Sequence, residues 1–106
     1  MAQALINLPG RARRGDIIEI RALVAHPMET GLRPSNEGGT VARNIIEQFT
    51  CHYNGTEVFR ARLFTAITAN PYLAFFTRAT ASGVIECVWI DDRGQRQSAA
   101  ASIAVE

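Results

Sequence analysis

The stretch "IIEQFTCHYNGTEVFRARLF", residues 45 to 64, constrains the fold more than any other. In its first half Phe49, Cys51 and Tyr53 alternate with Gln48, Thr50 and His52, the period of a strand with one face buried and one wet. In its second half Phe59, Ala61 and Leu63 alternate with Arg60 and Arg62. Between the halves, Asn54 and Gly55 accept the positive φ angles that a two-residue hairpin turn demands. A helix would scatter both apolar sets around its circumference, so the segment predicts an antiparallel hairpin.

The same period recurs along the chain. Residues 17 to 24, "IIEIRALV", set Ile18, Ile20, Ala22 and Val24 against Glu19 and Arg21. "NPYLAFFTRA" opens on an Asn-Pro turn signal and continues with Tyr72, Ala74 and Phe76 on one face and Leu73 and Phe75 on the other. "VIECVWI", residues 84 to 90, sets Ile85, Cys87 and Trp89 against Val84, Val88 and Ile90. A second hairpin follows through "DDRGQ", after which "RQSAAASIAV" alternates Ala99, Ala101, Ile103 and Val105 with small residues. No long helical stripe, internal repeat or low-complexity linker intervenes. The expected fold is all-β, an immunoglobulin-like antiparallel β-sandwich of about seven strands. At 106 residues it forms a single domain with no room for a separate catalytic one. Residues 1–14 are expected to be a flexible or loosely packed arm.

Charge narrows the partners. A net charge of +1 with both signs scattered lacks the basic footprint of a nucleic-acid binder. No run approaches the roughly 18 apolar residues of a membrane helix, so neither nucleic acid nor membrane is an expected partner. The start, "MAQALINLPGRARRGDIIEI", places its apolar part before Arg13 and Arg14, the reverse of a secretory signal. Taken alone, that points to the cytoplasm.

Cys51 and Cys87 lie on strands that a sandwich can bring together. A disulfide there would contribute about 3 to 4 kcal/mol by the chain-entropy relation and would need an oxidising compartment. Two buried free thiols are the alternative. Cys51 and His52 are adjacent and point to opposite faces of an extended strand, and neither CxxC nor HxxxH is present. No metal or cofactor is therefore expected. With neither a nucleophile elbow nor a phosphate-cradling glycine loop, no catalytic residue is expected either.

Two features point to recognition instead. The strands around Tyr72 and Val88 are apolar on both faces, whereas a two-sheet sandwich has one interior. Tyr72, Phe75, Phe76 and Val88 are thus candidates for a partner-binding face, the alternative being an ordinary scatter of exposed apolar residues. The second feature is "AHPMETGLRP", where Pro27 biases His26 toward an extended conformation and Gly31 punctuates the chain. His26, Pro27, Met28, Glu29 and Gly31 read as a recognition loop, with His26, Met28 and Glu29 as an exposed platform. This loop opens a connection of about eighteen residues, a length that is uncommon without function, with a mobile tip expected at residues 35–39.

Taken in order, "IIEIRALVAHPMETG", "IIEQFTCHYNG", "NPYLAFF" and "WIDDRG" resemble the SoxZ family of sulfur-oxidation proteins over residues 15 to 106. The resemblance implies an immunoglobulin-like sandwich, in agreement with the strand pattern, and a subunit that is not an enzyme. It implies a heterodimer with SoxY, whose C-terminal arm bears a cysteine that carries the sulfur intermediates of thiosulfate oxidation. Transient contacts with other enzymes of the pathway follow from the same role. Residence in the periplasm follows too, by export with a partner carrying a twin-arginine signal. This chain ends in "ASIAVE" without such an arm, so the carrier cysteine is expected on the partner. A disulfide of Cys51 and Cys87, or one to another chain, would then form after export. A generic immunoglobulin-like binding module and a small metal or redox domain using the histidines are the competing readings.

Overall fold

In the computed structural model, which describes residues 3–106, the alternating segments become eight strands. They are β1 (Ala4–Asn7), β2 (Arg11–Ala12), β3 (Ile17–Val24), β4 (Ile46–Tyr53), β5 (Thr56–Arg62), β6 (Tyr72–Arg78), β7 (Gly83–Asp91) and β8 (Arg96–Val105). They build a three-stranded sheet in the order β1-β3-β6 and a five-stranded sheet in the order β2-β8-β7-β4-β5. The all-β, immunoglobulin-like sandwich is thus the observed fold.

The hairpin that most constrained the sequence forms as expected. Asn54 and Gly55 take φ values of 50° and 84°, the doubly positive pair whose twist matches that of the flanking strands. Asn54 also fastens the turn to β7: its Oδ1 accepts the Val84 N–H at 2.9 Å, and its own N–H donates to the Val84 carbonyl at 2.9 Å. One irregularity lies in this ladder. Cys51 faces Phe59 while His52 faces Glu57, so Val58 is an extra residue bulged out of β5.

Aromatic side chains join the sheets. Phe75 of the small sheet stacks on Phe59 at 4.3 Å and meets Phe49 edge-on at 5.7 Å, while Phe49 leans on Trp89 at 5.2 Å. Ile20, Val24, Ile85, Cys51 and Cys87 complete the interior. Each such large side chain contributes about 1.5 to 3 kcal/mol by leaving water.

The N-terminal segment differs from the loosely packed arm expected for residues 1–14. Residues 1–2 lie outside the described residues, but β1 pairs with β3 from Ala4↔Val24 to Asn7↔Arg21, and β2 runs parallel to β8. One segment therefore supplies an edge strand to each sheet. The physical reason is visible in "ALINL": Ala4, Ile6 and Leu8 pack against the core, and the ladders satisfy the backbone.

Candidate functional site: an exposed sheet face and the loop beside it

The outer face of the small sheet is built by register. Leu5, Leu23 and Tyr72 line up across β1, β3 and β6, with Asn7, Arg21 and Ala74 in the next row. Beyond them Glu19 faces Phe76, and Ile17 faces Arg78. The apolar members are open to solvent: Leu5 is 63% exposed, Leu23 39%, Tyr72 58%, Phe76 64% and Ile17 59%. Leu5, Leu23, Tyr72, Arg21 and Asn7 line a shallow open depression. Within the face, Arg21 Nε donates to Glu19 at 2.9 Å, so the charges it carries neutralise each other locally. That hydrogen bond and the carboxylate's field raise the Arg21 guanidinium above its ordinary value.

Of the four residues expected on a partner face, the structure leaves two there. Tyr72 and Phe76 are exposed, but Phe75 is 5% exposed and stands in the aromatic core. The alternation of β6 puts Phe75 inward because its register partner is Ile20, whereas Phe76 faces Glu19. Val88 lies in the other sheet, at the centre of β7 between β4 and β8, and is buried beside its register partner Thr50. It cannot share a surface with Tyr72. The face also includes Leu5, Leu23 and Ile17, which were not among the expected residues. The signal was the offset of Leu5 and Asn7 from Ala4, Ile6 and Leu8, the two parities of a strand.

The loop is also revised. His26 is 6% and Met28 5% exposed, so neither belongs to an exposed platform. His26 is held by a reciprocal pair: its N–H donates to Asn70 Oδ1 at 2.9 Å and its carbonyl accepts the Asn70 N–H at 2.8 Å. Its Nδ1 accepts the Met28 N–H at 3.0 Å, which occupies that nitrogen's lone pair. Met28 adopts φ 51°, unusual for a residue with a side chain, and turns inward, where its Sδ accepts the Ile46 N–H at 3.2 Å. It is a core residue.

The rest of the segment braces the loop. Glu29 and Asn44 exchange backbone hydrogen bonds of 2.8 Å, and Pro34 and Thr40 form a second bridge, so residues 29–44 make a hairpin-like extension. Arg33 clamps the Glu29 carboxylate with bonds of 2.7 to 3.2 Å, which holds that carboxyl below its usual range. Gly31, at φ 90°, passes so close to Arg43 that an added Cβ would lie 3.2 Å from the Arg43 Cβ. Of the five expected recognition residues Pro27 is exposed, Glu29 and Gly31 are half-buried, and His26 and Met28 are buried. At the loop's base, Asn44 Nδ2 donates to Asp91 and Asp92 at 3.3 and 2.9 Å, and Arg43 pairs with Asp92 at 3.4 Å. Burial works to raise the Asp91 carboxyl. Bonds from the Gln95 N–H, the Asn44 amide and the Arg93 N–H outweigh it, and the carboxyl is held low.

Cys51 and Cys87 are direct register partners on neighbouring strands of one sheet, not across the two. Both are free and inaccessible. A hydrogen bond shared between the thiols, with burial added, pushes Cys87 far above the ordinary thiol range. Among the described residues no three His, Cys, Asp or Glu side chains converge in a way that would hold a metal ion.

These features define a class: a small two-sheet sandwich with a buried dithiol and an open apolar face. Solved structures share the fold. The superoxide reductase (neelaredoxin) from Ignicoccus hospitalis superposes with a TM-score of 0.75 at 18% identity, covering 97% of this chain and 80% of that one. The sulfur carrier protein SoxY from Chlorobium limicola f thiosulfatophilum superposes with a TM-score of 0.66 at 12% identity, covering 97% and 78%. No curated protein matches the sequence. Residues 6–102 match the family described as sulphur oxidation protein SoxZ, and the chain belongs to the SoxZ family.

Proposed function

We propose that this protein is the non-catalytic subunit of a sulfur carrier complex. It pairs with a SoxY-like subunit whose C-terminal cysteine arm carries the covalent sulfur intermediates of thiosulfate oxidation, and it offers a docking surface to enzymes of the pathway. The observation that carries the reading is the outer face of the small sheet. There Leu5, Leu23, Tyr72 and Phe76 leave apolar area open in the arrangement of a protein interface: aromatic anchors with a polar Arg21–Glu19 pair among them. Family membership supports the choice of partner. The buried thiols support the division of labour, because a carrier sulfur must be reached by successive enzymes and neither cysteine here is accessible.

Co-expression with the SoxY-like subunit tests it. Tyr72→Asp and Phe76→Asp should each abolish co-purification while leaving the chain's circular dichroism and unfolding midpoint essentially unchanged. Retention of the complex by the folded double variant would refute this face as the interface. Periplasmic residence, by export with a partner bearing a twin-arginine signal, belongs to the same proposal. Fractionation of cells with and without the partner gene checks it: the chain should leave the cytoplasm only when the partner is present.

A further inference from the structure

Cys51 and Cys87 are the chain's two cysteines, and the docking role uses neither. Their geometry is nevertheless specific. They are directly opposed on antiparallel strands and both point into the interior. Opposed residues in such a ladder have Cα atoms about 4.5 or 5.5 Å apart, according to the type of pair. Either value falls inside the roughly 4.4 to 6.8 Å that a disulfide spans. A bond between them therefore needs side-chain rotation and a closing of the two Cβ atoms from about 4.5–5.5 Å to about 3.5–4.5 Å, a small local adjustment of the ladder. Phe59 lies opposite Cys51 on β5 and Ala99 opposite Cys87 on β8, so the pair is walled on both sides and closed to bulky reagents. A weak point is the bulge beside Cys51, where edge strand β5 loses register and can open locally.

We propose that Cys51 and Cys87 form a dithiol that a small peroxide closes into an intramolecular disulfide, stapling β4 to β7. One thiol gives up its proton and, as thiolate, attacks an oxygen of hydrogen peroxide; the O–O bond breaks, the leaving hydroxide takes up that proton, and a sulfenic acid and water result. The second sulfur attacks the sulfenic sulfur, the S–S bond forms as the S–O bond breaks, and a second water leaves. Two thiols and one peroxide give one disulfide and two waters, with two electrons passing from sulfur to oxygen. Burial favours a small neutral oxidant over a bulky disulfide and slows the first step, which needs the thiolate. The second step is intramolecular between opposed residues.

The test treats the full chain with hydrogen peroxide, alkylates it after denaturation and measures its intact mass without reductant. The expected product is monomeric, lighter by two hydrogens, unalkylated, and yields a Cys51–Cys87 linked peptide. Its unfolding midpoint rises by about 15 °C, reversed by reductant. In Cys87→Ser the oxidised product is instead a sulfenic acid, trapped by dimedone present during denaturation. The wild-type mass decides even where that variant folds poorly. Two alkylated thiols after treatment, added oxygens without a cross-link, or a bond between chains would each overturn the proposal. An unchanged or lowered midpoint in the cross-linked chain would overturn the staple.

Discussion

At the scale of single residues, Phe75 and Phe76 are neighbours in sequence with opposite fates. Phe75 packs between Phe49 and Phe59, so Phe75→Ala should cost about 3 to 5 kcal/mol in denaturant unfolding. Phe76→Ala removes a side chain that is 64% exposed and should change stability by less than about 0.5 kcal/mol. Met28→Ala belongs with Phe75: it empties a core position and strips the Ile46 N–H of its sulfur acceptor, at about 2 to 5 kcal/mol. A Met28→Ala chain as stable as wild type would return that residue to the surface. These assignments were only half legible in the sequence. On β6 both parities are apolar, and what separates them is the register that sets Phe75 against Ile20 and Phe76 against Glu19. For Met28, a positive φ beside a proline and a histidine acceptor turns the side chain inward, and no periodicity announces that.

At the scale of elements, the connection from β3 to β4 is fastened to the β7–β8 turn through Asn44 and Asp91. Because the folded protein holds the Asp91 carboxyl below its unfolded value, the fastening contributes stability above an unfolded value of about 4. That contribution is lost as the pH falls through the lower, folded value. Urea midpoints measured from pH 7 down to pH 3 should therefore decline in wild type, and Asp91→Asn should be less stable at pH 7 with a shallower decline. An identical slope in the variant would remove Asp91 as a source of acid sensitivity. The Asn-Gly hairpin makes a second demand. A Cβ on Gly83 would lie 1.7 Å from Asn54 Oδ1, so Gly83→Ala must expel the side chain that ties the turn to β7. A loss of at least about 1 kcal/mol is expected in thermal or denaturant unfolding. The hairpin itself was plain from the alternation and Asn-Gly. What Asn54 touches was not, because its partners are 28 and 30 residues away.

At the scale of the whole molecule, the two sheets are unequal, and the smaller exists as a three-stranded sheet only because the N-terminal segment adds β1 to it. Around β1 the inward parity is marked only by Ala4, Ile6 and Leu8 and Leu5 is apolar on the other, while the two residues of β2 carry no periodicity at all, so the segment shows only a faint strand signal. The consequence for assembly is a face whose exposed area is mostly apolar and whose Arg21–Glu19 pair is already satisfied within the chain. Association through such a face should draw little on long-range charge, and the chain's net charge of +1 offers little steering. Calorimetry of the complex with a SoxY-like subunit should therefore give a Kd that changes by less than about threefold between 50 and 500 mM salt, with a clearly negative heat-capacity change. Leu23→Asp, in the row shared with Leu5 and Tyr72, should weaken binding at every salt concentration. A steep loss of affinity with salt would instead place the contact on a charged surface away from this sheet, because only a charge-driven interface is screened in that way.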